Sequence, residues 1–209
     1  MNELRYTLLT DGSSDRALIP ILTWLLRNVI NYAIQPAFAD LRGLPYPLKA
    51  LHARIEKSIE LYPCDLLFVH RDAEREPHEN RITEIRGAVE HLPRRIVHTV
   101  CVVPVRMQEA WLLFDEKAIR WAAGNPHGRQ ALSLPHMSRI EHLPDPKETL
   151  GNLLSAASGM PVHRLKKLSI PATASRVADY IDDFSPLRLL PAFKALEAEL
   201  ESVIQAQGW

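Results

Sequence analysis

Apolar positions in the first 123 residues come alternately in short runs and at helical spacing. Residues 4–10, LRYTLLT, predict a short strand closed by the turn pair Asp11-Gly12. Leu18, Ile21, Leu22 and Leu25 then share one face of a helix, which Ser13 or Ser14 can cap and whose first turn must accommodate Pro20. Residues 34–39 predict a second strand, and Leu48, Leu51, Ile55, Ile59 and Tyr62 mark a second amphipathic helix. The run LLFVH at 66–70, bounded by Asp65 and Arg71, has the pattern of a strand covered on both faces, as in parallel sheets. A helix over 81–92, a longer strand over 96–105 and one or two helices over 107–123 complete the series. Strand and helix alternate throughout, which predicts right-handed β-α-β units around a mostly parallel sheet; the fold class is α/β.

The texture changes at 124–146, a stretch rich in Pro, Gly and His without a clear period, which reads as a long loop or insertion. Helices are predicted beyond it, over 146–158, 172–182 and 187–207. The last carries an apolar stripe of Leu189, Phe193, Leu196, Leu200 and Val203, with Glu197, Glu199 and Glu201 on a solvated face. Residues 1–123 are thus expected to form the α/β core, and 124–209 an irregular insertion and a helical C-terminal extension packed on it. No internal repeat or low-complexity tract interrupts this division.

The 209 residues include 25 basic and 25 acidic side chains, so the charge as a whole gives no footprint for nucleic acid or membrane, though a local basic patch needs only a few cations. The N-terminal residues lack the pattern of a signal peptide, and no apolar run is long enough to span a bilayer. Cys64 and Cys101 lie in or beside apolar segments, as expected of reduced thiols in a cytoplasmic protein. His70-Arg71-Asp72 has the order of a kinase catalytic loop, but Pro77 stands where that loop needs Asn. Phosphate-binding glycine loops, a nucleophile elbow and zinc-type Cys and His spacings are all missing.

Ligands of parallel α/β sheets bind beyond the carboxyl ends of the strands, and acidic residues follow three of the predicted strands. Asp11 and Asp15 follow the first, Asp72 and Glu74 the strand at 66–70, and Glu109 the strand ending near Val105. Mg²⁺ and similar hard cations take oxygen ligands, usually one or two carboxylates completed by phosphate oxygens and water. Alternate side chains of extended backbone point the same way, so Asp72 and Glu74 are expected to grip or flank one ion. Such an ion polarises a phosphodiester and activates water. Each residue also has a plain structural use: Asp11 in a turn, Asp15 at a helix N-terminus, Asp72 and Glu74 where a strand surfaces, Glu109 at a helix start. Arg71, Arg75, Arg106 and the pair Lys166-Lys167 are the candidate contacts to substrate phosphates, the alternative being a solvated charged face.

These residues also resemble a known family. The first strand followed by Asp11-Gly12-Ser13-Ser14-Asp15 resembles the E-G-x-[ST]-[DE] opening motif of Toprim domains, which topoisomerases, primases and OLD-family nucleases share. Asp72-Ala73-Glu74 resembles their D-x-D motif. Gln108-Glu109-Ala110-Trp111-Leu112-Leu113-Phe114-Asp115 is similar to the E-a-W-l-l-a-D block of a small Toprim-like family often linked with phage-defence gene clusters. Asp145-Pro146-Lys147 and the segment from Ser185-Pro186 to Phe193 are similar to that family's C-terminal part.

The resemblance implies a Rossmann-like Toprim fold, Mg²⁺- or Mn²⁺-dependent nuclease activity on DNA or RNA, and a partner ATPase. It puts Asp11 in the place of the Toprim glutamate that serves as acid/base or ligand, and Asp72 and Glu74 in the metal-binding pair. Asp15 takes the second acidic position of the first motif, and Glu109 the additional acidic position of the small family. Asp11 is one methylene shorter than that glutamate, as a catalytically inactive regulatory or binding subunit would tolerate. Self-association into a homo-oligomer is left open.

Overall fold

The computed structural model describes residues 3–12, 14–92, 97–165 and 168–209, the side chain of Val162 excepted. Among these residues four strands, β1 (Glu3–Leu9), β2 (Ala33–Phe38), β3 (Leu66–His70) and β4 (His98–Val102), form one sheet in the order β2-β1-β3-β4. Every neighbouring pair is parallel, with Leu8 opposite Phe38 and Phe68, and His70 opposite Val102. The α/β class read from the alternation of runs is therefore what the chain adopts. Among the described residues eight α-helices accompany the sheet: α1 (Leu18–Val29), α2 (Leu51–Leu61), α3 (His78–Glu90), α4 (Glu116–Ala122), α5 (Pro146–Ser158), α6 (Val162–Leu165), α7 (Ile170–Ala174) and α8 (Pro191–Gln207).

Strand order explains which helix covers which face. The chain passes from β1 to β2 in one direction and returns across β1 to reach β3 and then β4. With one handedness of crossover, that reversal puts α1 on one face and α2 and α3 on the other. The core divides accordingly. Leu4, Tyr6, Leu8, Leu66 and Phe68 pack with Leu18, Ile21, Leu22 and Leu25 of α1. Leu9, Leu67, Val69 and Cys101 pack with Ile55 of α2 and Ile85 of α3. Successive residues of β3 alternate between the two cores, as the pleat requires.

The chain beyond residue 123 joins the α1 side. Leu150, Leu153 and Leu154 of α5 and Phe193, Leu196 and Leu200 of α8 belong to the same continuous core as β1 and α1. Trp111, fully buried, meets Phe193 edge-on at 5.3 Å between ring centroids. The C-terminal helices therefore wall one face of the sheet.

Several boundaries differ from the pattern-based expectation. Ser14 does not cap α1: a 3-10 turn at Ser14–Ala17 comes first, the N-cap of α1 is Ala17, and Ser14 Oγ donates to Asp15 instead (3.0 Å); Ser13 lies outside the described residues. Pro20 sits in the first turn of α1, where a missing N–H costs no helical bond. The stretch 107–123 is a 3-10 turn at Gln108–Leu112 followed by α4, which Asp115 caps by accepting from Ala118 N (2.9 Å). The expected helix over 172–182 breaks into α7 and a 3-10 turn at Ala178–Tyr180.

α8 starts at Pro191, so Leu189 precedes it and is 66% exposed; its stripe runs from Phe193 through Leu196 and Leu200 to Ile204. Two of its glutamates are not simply solvated. Glu197 pairs with Arg188 at 2.7 Å, and Glu199 accepts from the Cys101 backbone N–H and pairs with Arg86 at 3.5 Å. Both cysteines are free thiols. No helix among the described residues is long and apolar enough to cross a membrane.

Candidate active site

The winding reverses between β1 and β3, so the loops leaving their carboxyl ends diverge and leave a crevice, the place where α/β sheets bind ligands. The pleat decides what enters it. Tyr6 and Leu8 of β1, and Leu66 and Phe68 of β3, face α1; continuing that parity sends His70 and Asp72 to the same side. Asp15 comes to meet them from the 3-10 turn that opens α1.

His70 is 2% exposed and Asp15 is 7% exposed. The His70 ring is oriented by its partner: Val102 O can only accept, so Nδ1 carries the proton and donates across 2.9 Å. Nε2 then lies 3.4 Å from Asp72 Oδ1 and 3.9 Å from Asp15 Oδ2. Burial opposes a charge on the ring, yet the hydrogen bond and charge of Asp72, the charge of Asp15 and the Val102 carbonyl together hold its pKa above the ordinary imidazole value.

Gln108 bridges the same two carboxylates. Its backbone N–H donates to Asp72 Oδ1 (3.0 Å) and its Nε2 to Asp15 Oδ1 (2.9 Å). Asp15 is further fixed by the Gly12 N–H on Oδ2 (2.9 Å). Glu109 follows in the same buried turn, 7% exposed. Burial foremost, and the charges of Asp72 and Asp15 besides, push its pKa up; its own backbone N–H and Lys147 work the other way. Lys147 stands in the first turn of α5, so the C-terminal part of the chain contributes to the site.

Asp11 has the opposite parity and joins a different group. Its carboxylate is held by Arg54 of α2 and by Arg71 Nε at 2.8 Å. Arg71 Nη1 in turn reaches Glu84 of α3 at 2.9 Å, and Glu84 also holds Arg81 at 2.9 Å. This ladder ties α2, β1, β3 and α3 together on the face away from Asp15. Arg71, with 21% of its side chain exposed, is engaged by two carboxylates.

Glu74 also departs from expectation. Pairing beside β4 continues as far as Ala73 N–H on Pro104 O (3.4 Å), but Glu74 turns into the left-handed region at φ 54 and bonds to Arg106 O, itself at φ 66. The extended geometry that would align Glu74 with Asp72 therefore ends at Ala73. Glu74 is exposed, and its charge acts on Arg81. Arg75 is exposed and Arg106 half-buried, while Lys166 and Lys167 lie outside the described residues.

The structure thus brings together Asp15, Asp72 and Glu109 and sets Asp11 and Glu74 apart. His70, Gln108 and Lys147 stand in stretches quoted from the sequence but carried no expected role in the site. His70 could have been found from its even spacing with Asp72 at the end of a central strand, and Gln108 from standing beside Glu109.

Among the described residues no three His, Cys, Asp or Glu side chains already enclose an ion. The donor set nevertheless suits a hard divalent cation, which needs one or two carboxylates and takes the rest of its shell from phosphate and water. Asp15 and Asp72 face one another's partners, Glu109 adds a third carboxyl, and Gln108 Oε1 is buried with no hydrogen-bond partner among the described residues. No protein-family model, curated protein or solved structure matches this chain.

Proposed function

We propose that this chain is a Mg²⁺- or Mn²⁺-dependent nuclease with a Toprim-like fold, hydrolysing phosphodiester bonds of DNA or RNA. The observation that carries the reading is the double bridge of Gln108 and His70 across Asp15 and Asp72 at the point where the strand order reverses. Asp15 and Asp72 would hold the ion, and Glu109 would serve as acid/base. The ion supplies charge stabilisation for the phosphoryl oxygens and lowers the pKa of bound water. The chain's own residues do the rest: the Gly12 N–H fixes one Asp15 oxygen, Gln108 sets the orientation of both aspartates, and the buried turn that holds Glu109 limits access of bulk water. The resemblance to defence-linked Toprim proteins adds an ATPase partner and a role in phage defence to the proposal.

A second reading has its own observation. Asp11, in the place of the Toprim glutamate, is clamped by Arg54 and Arg71, as suits an inactive regulatory subunit that works through the partner ATPase. Calorimetric titration of Mn²⁺ into wild type and Asp72→Ala, with cleavage of DNA and RNA oligonucleotides measured on the same samples, separates the two. The nuclease reading expects binding and cleavage in wild type and neither in a folded Asp72→Ala variant. Cleavage that survives in the variant removes the site assignment; binding without cleavage in wild type supports the inactive subunit.

A further inference from the structure

Gln108 leaves an oxygen over. Its amide has one sensible orientation, because Asp15 Oδ1 only accepts and must face Nε2 across the 2.9 Å contact. Oε1 is then a buried acceptor without a partner among the described residues, in a side chain 3% exposed, and such groups in folded proteins are normally satisfied. Gln108 and Glu109 line a small cleft whose other walls include Ser14, Lys147, Ile170 and Ser175, so α5 and α7 flank it. Its volume of about 30 Å³ leaves room for a water. Lys147 brings a positive charge to its rim and opposes the upward push on the Glu109 carboxyl.

We propose that this cleft is the water site of the hydrolysis, in which Gln108 Oε1 and the Glu109 carboxylate each accept a hydrogen bond from one water and Lys147 is a positioning residue that balances the charge of Glu109. The inference rests on the nuclease reading and names where its nucleophile is held. Glu109 takes one proton from the water, and the water oxygen forms a new P–O bond as the P–O bond to the leaving nucleotide breaks. The expelled alkoxide takes a proton from solvent, and Glu109 returns its own to solvent. One water is consumed for each phosphodiester.

Two measurements test this, one independent of turnover. A high-resolution crystal structure of the whole chain is expected to show an ordered water within hydrogen-bond reach of both Gln108 Oε1 and Glu109. A dry cleft, or a protein donor on Oε1, overturns the proposal. In Mn²⁺-dependent cleavage of an oligonucleotide at saturating Mn²⁺, Glu109→Gln is expected to lower kcat by about 10²–10⁴-fold with KM unchanged. Lys147→Met should lower kcat as well, and Lys147→Arg should restore it. A wild-type that cleaves and a Lys147→Met variant that cleaves equally well sink this inference alone, whereas a Glu109→Gln variant that cleaves equally well also removes the acid/base role of Glu109. A wild-type that cleaves no phosphodiester removes the nuclease reading and this inference with it.

Discussion

Asp11 and Asp72 follow neighbouring strands and carry the same charge, yet one residue of parity sends them to opposite faces of the sheet. Asp11 meets two arginines, and Asp72 meets His70 and Gln108. The two substitutions should therefore separate cleanly. Asp11→Ala is expected to cost on the order of 1 kcal/mol or less, because its pairs are partly exposed, and to leave Mn²⁺ affinity in place; calorimetry beside a thermal melt reads both effects. Loss of Mn²⁺ binding in Asp11→Ala comparable to that in Asp72→Ala would return Asp11 to the ion.

The thiols give a second residue-scale test. Burial, with Glu199 beside it, pushes the Cys101 pKa up to about 12, and burial also raises that of the half-buried Cys64. Both thiols are therefore neutral near pH 8, Cys101 more completely. Alkylation of the native protein should be slow, should speed up as pH rises, and should reach Cys64 first. Rapid labelling of Cys101 would show that the contact between α8 and β4 opens readily. At this scale the sequence disclosed which acidic residues follow the strand ends. It could not disclose their partners, because Arg54 and Asp11, or Gln108 and Asp15, are far apart in the chain and meet only through the register of the strands.

Among the elements, the 3-10 turn at Gln108–Leu112 has the most to hold. It presents Gln108 and Glu109 on one side and buries Trp111 against Phe193 of α8 on the other. Trp111→Ala is expected to destabilise by about 3–5 kcal/mol through the cavity left behind. Trp111→Phe should cost much less, since no hydrogen bond is made by the Trp111 Nε1 among the described residues; urea unfolding of the two variants checks the order. α5 ends on Gly159 at φ 63, where a side chain is strained, and Gly159→Val should lose about 1–2 kcal/mol in the same assay.

Elements with a strong signal of their own were legible. The run at 66–70 became β3 without a shift, and Asp145-Pro146 and Gly159 bracket α5 as cap, first turn and stop. Where the pattern was weak, tertiary packing chose. The stretch 107–123 divides because Glu109 and Trp111 are buried on different duties, and the helix expected at 172–182 yields to short turns that fit the surface of α4 and α5.

For the whole molecule, the expected division at residue 123 is a change of texture and not of core. The apolar cluster on the α1 face runs without a break from β1 to α8. A fragment ending at residue 123 would leave Trp111, Leu112 and Leu113, each 1% exposed or less in the whole chain, without their cover. It is expected to be poorly folded and to bind a hydrophobic dye, whereas a sharp cooperative melt of that fragment would mark it as an independent unit. The parallel sheet itself was legible from the alternation of short apolar runs and helical spacings; the order of its strands was not, since sequence pattern carries no information about which neighbour a strand chooses.

That shared core also bears on synthesis. The carboxylates at Asp15, Asp72 and Glu109 leave the ribosome early, but Lys147 follows later, and the α8 residues that cover Trp111 come later still. A nascent chain that has not yet reached α8 therefore carries the three site carboxylates and lacks the wall that packs behind them. For a protein proposed to cut polynucleotides, the order of translation keeps the blade unassembled while it is still tethered to its own message.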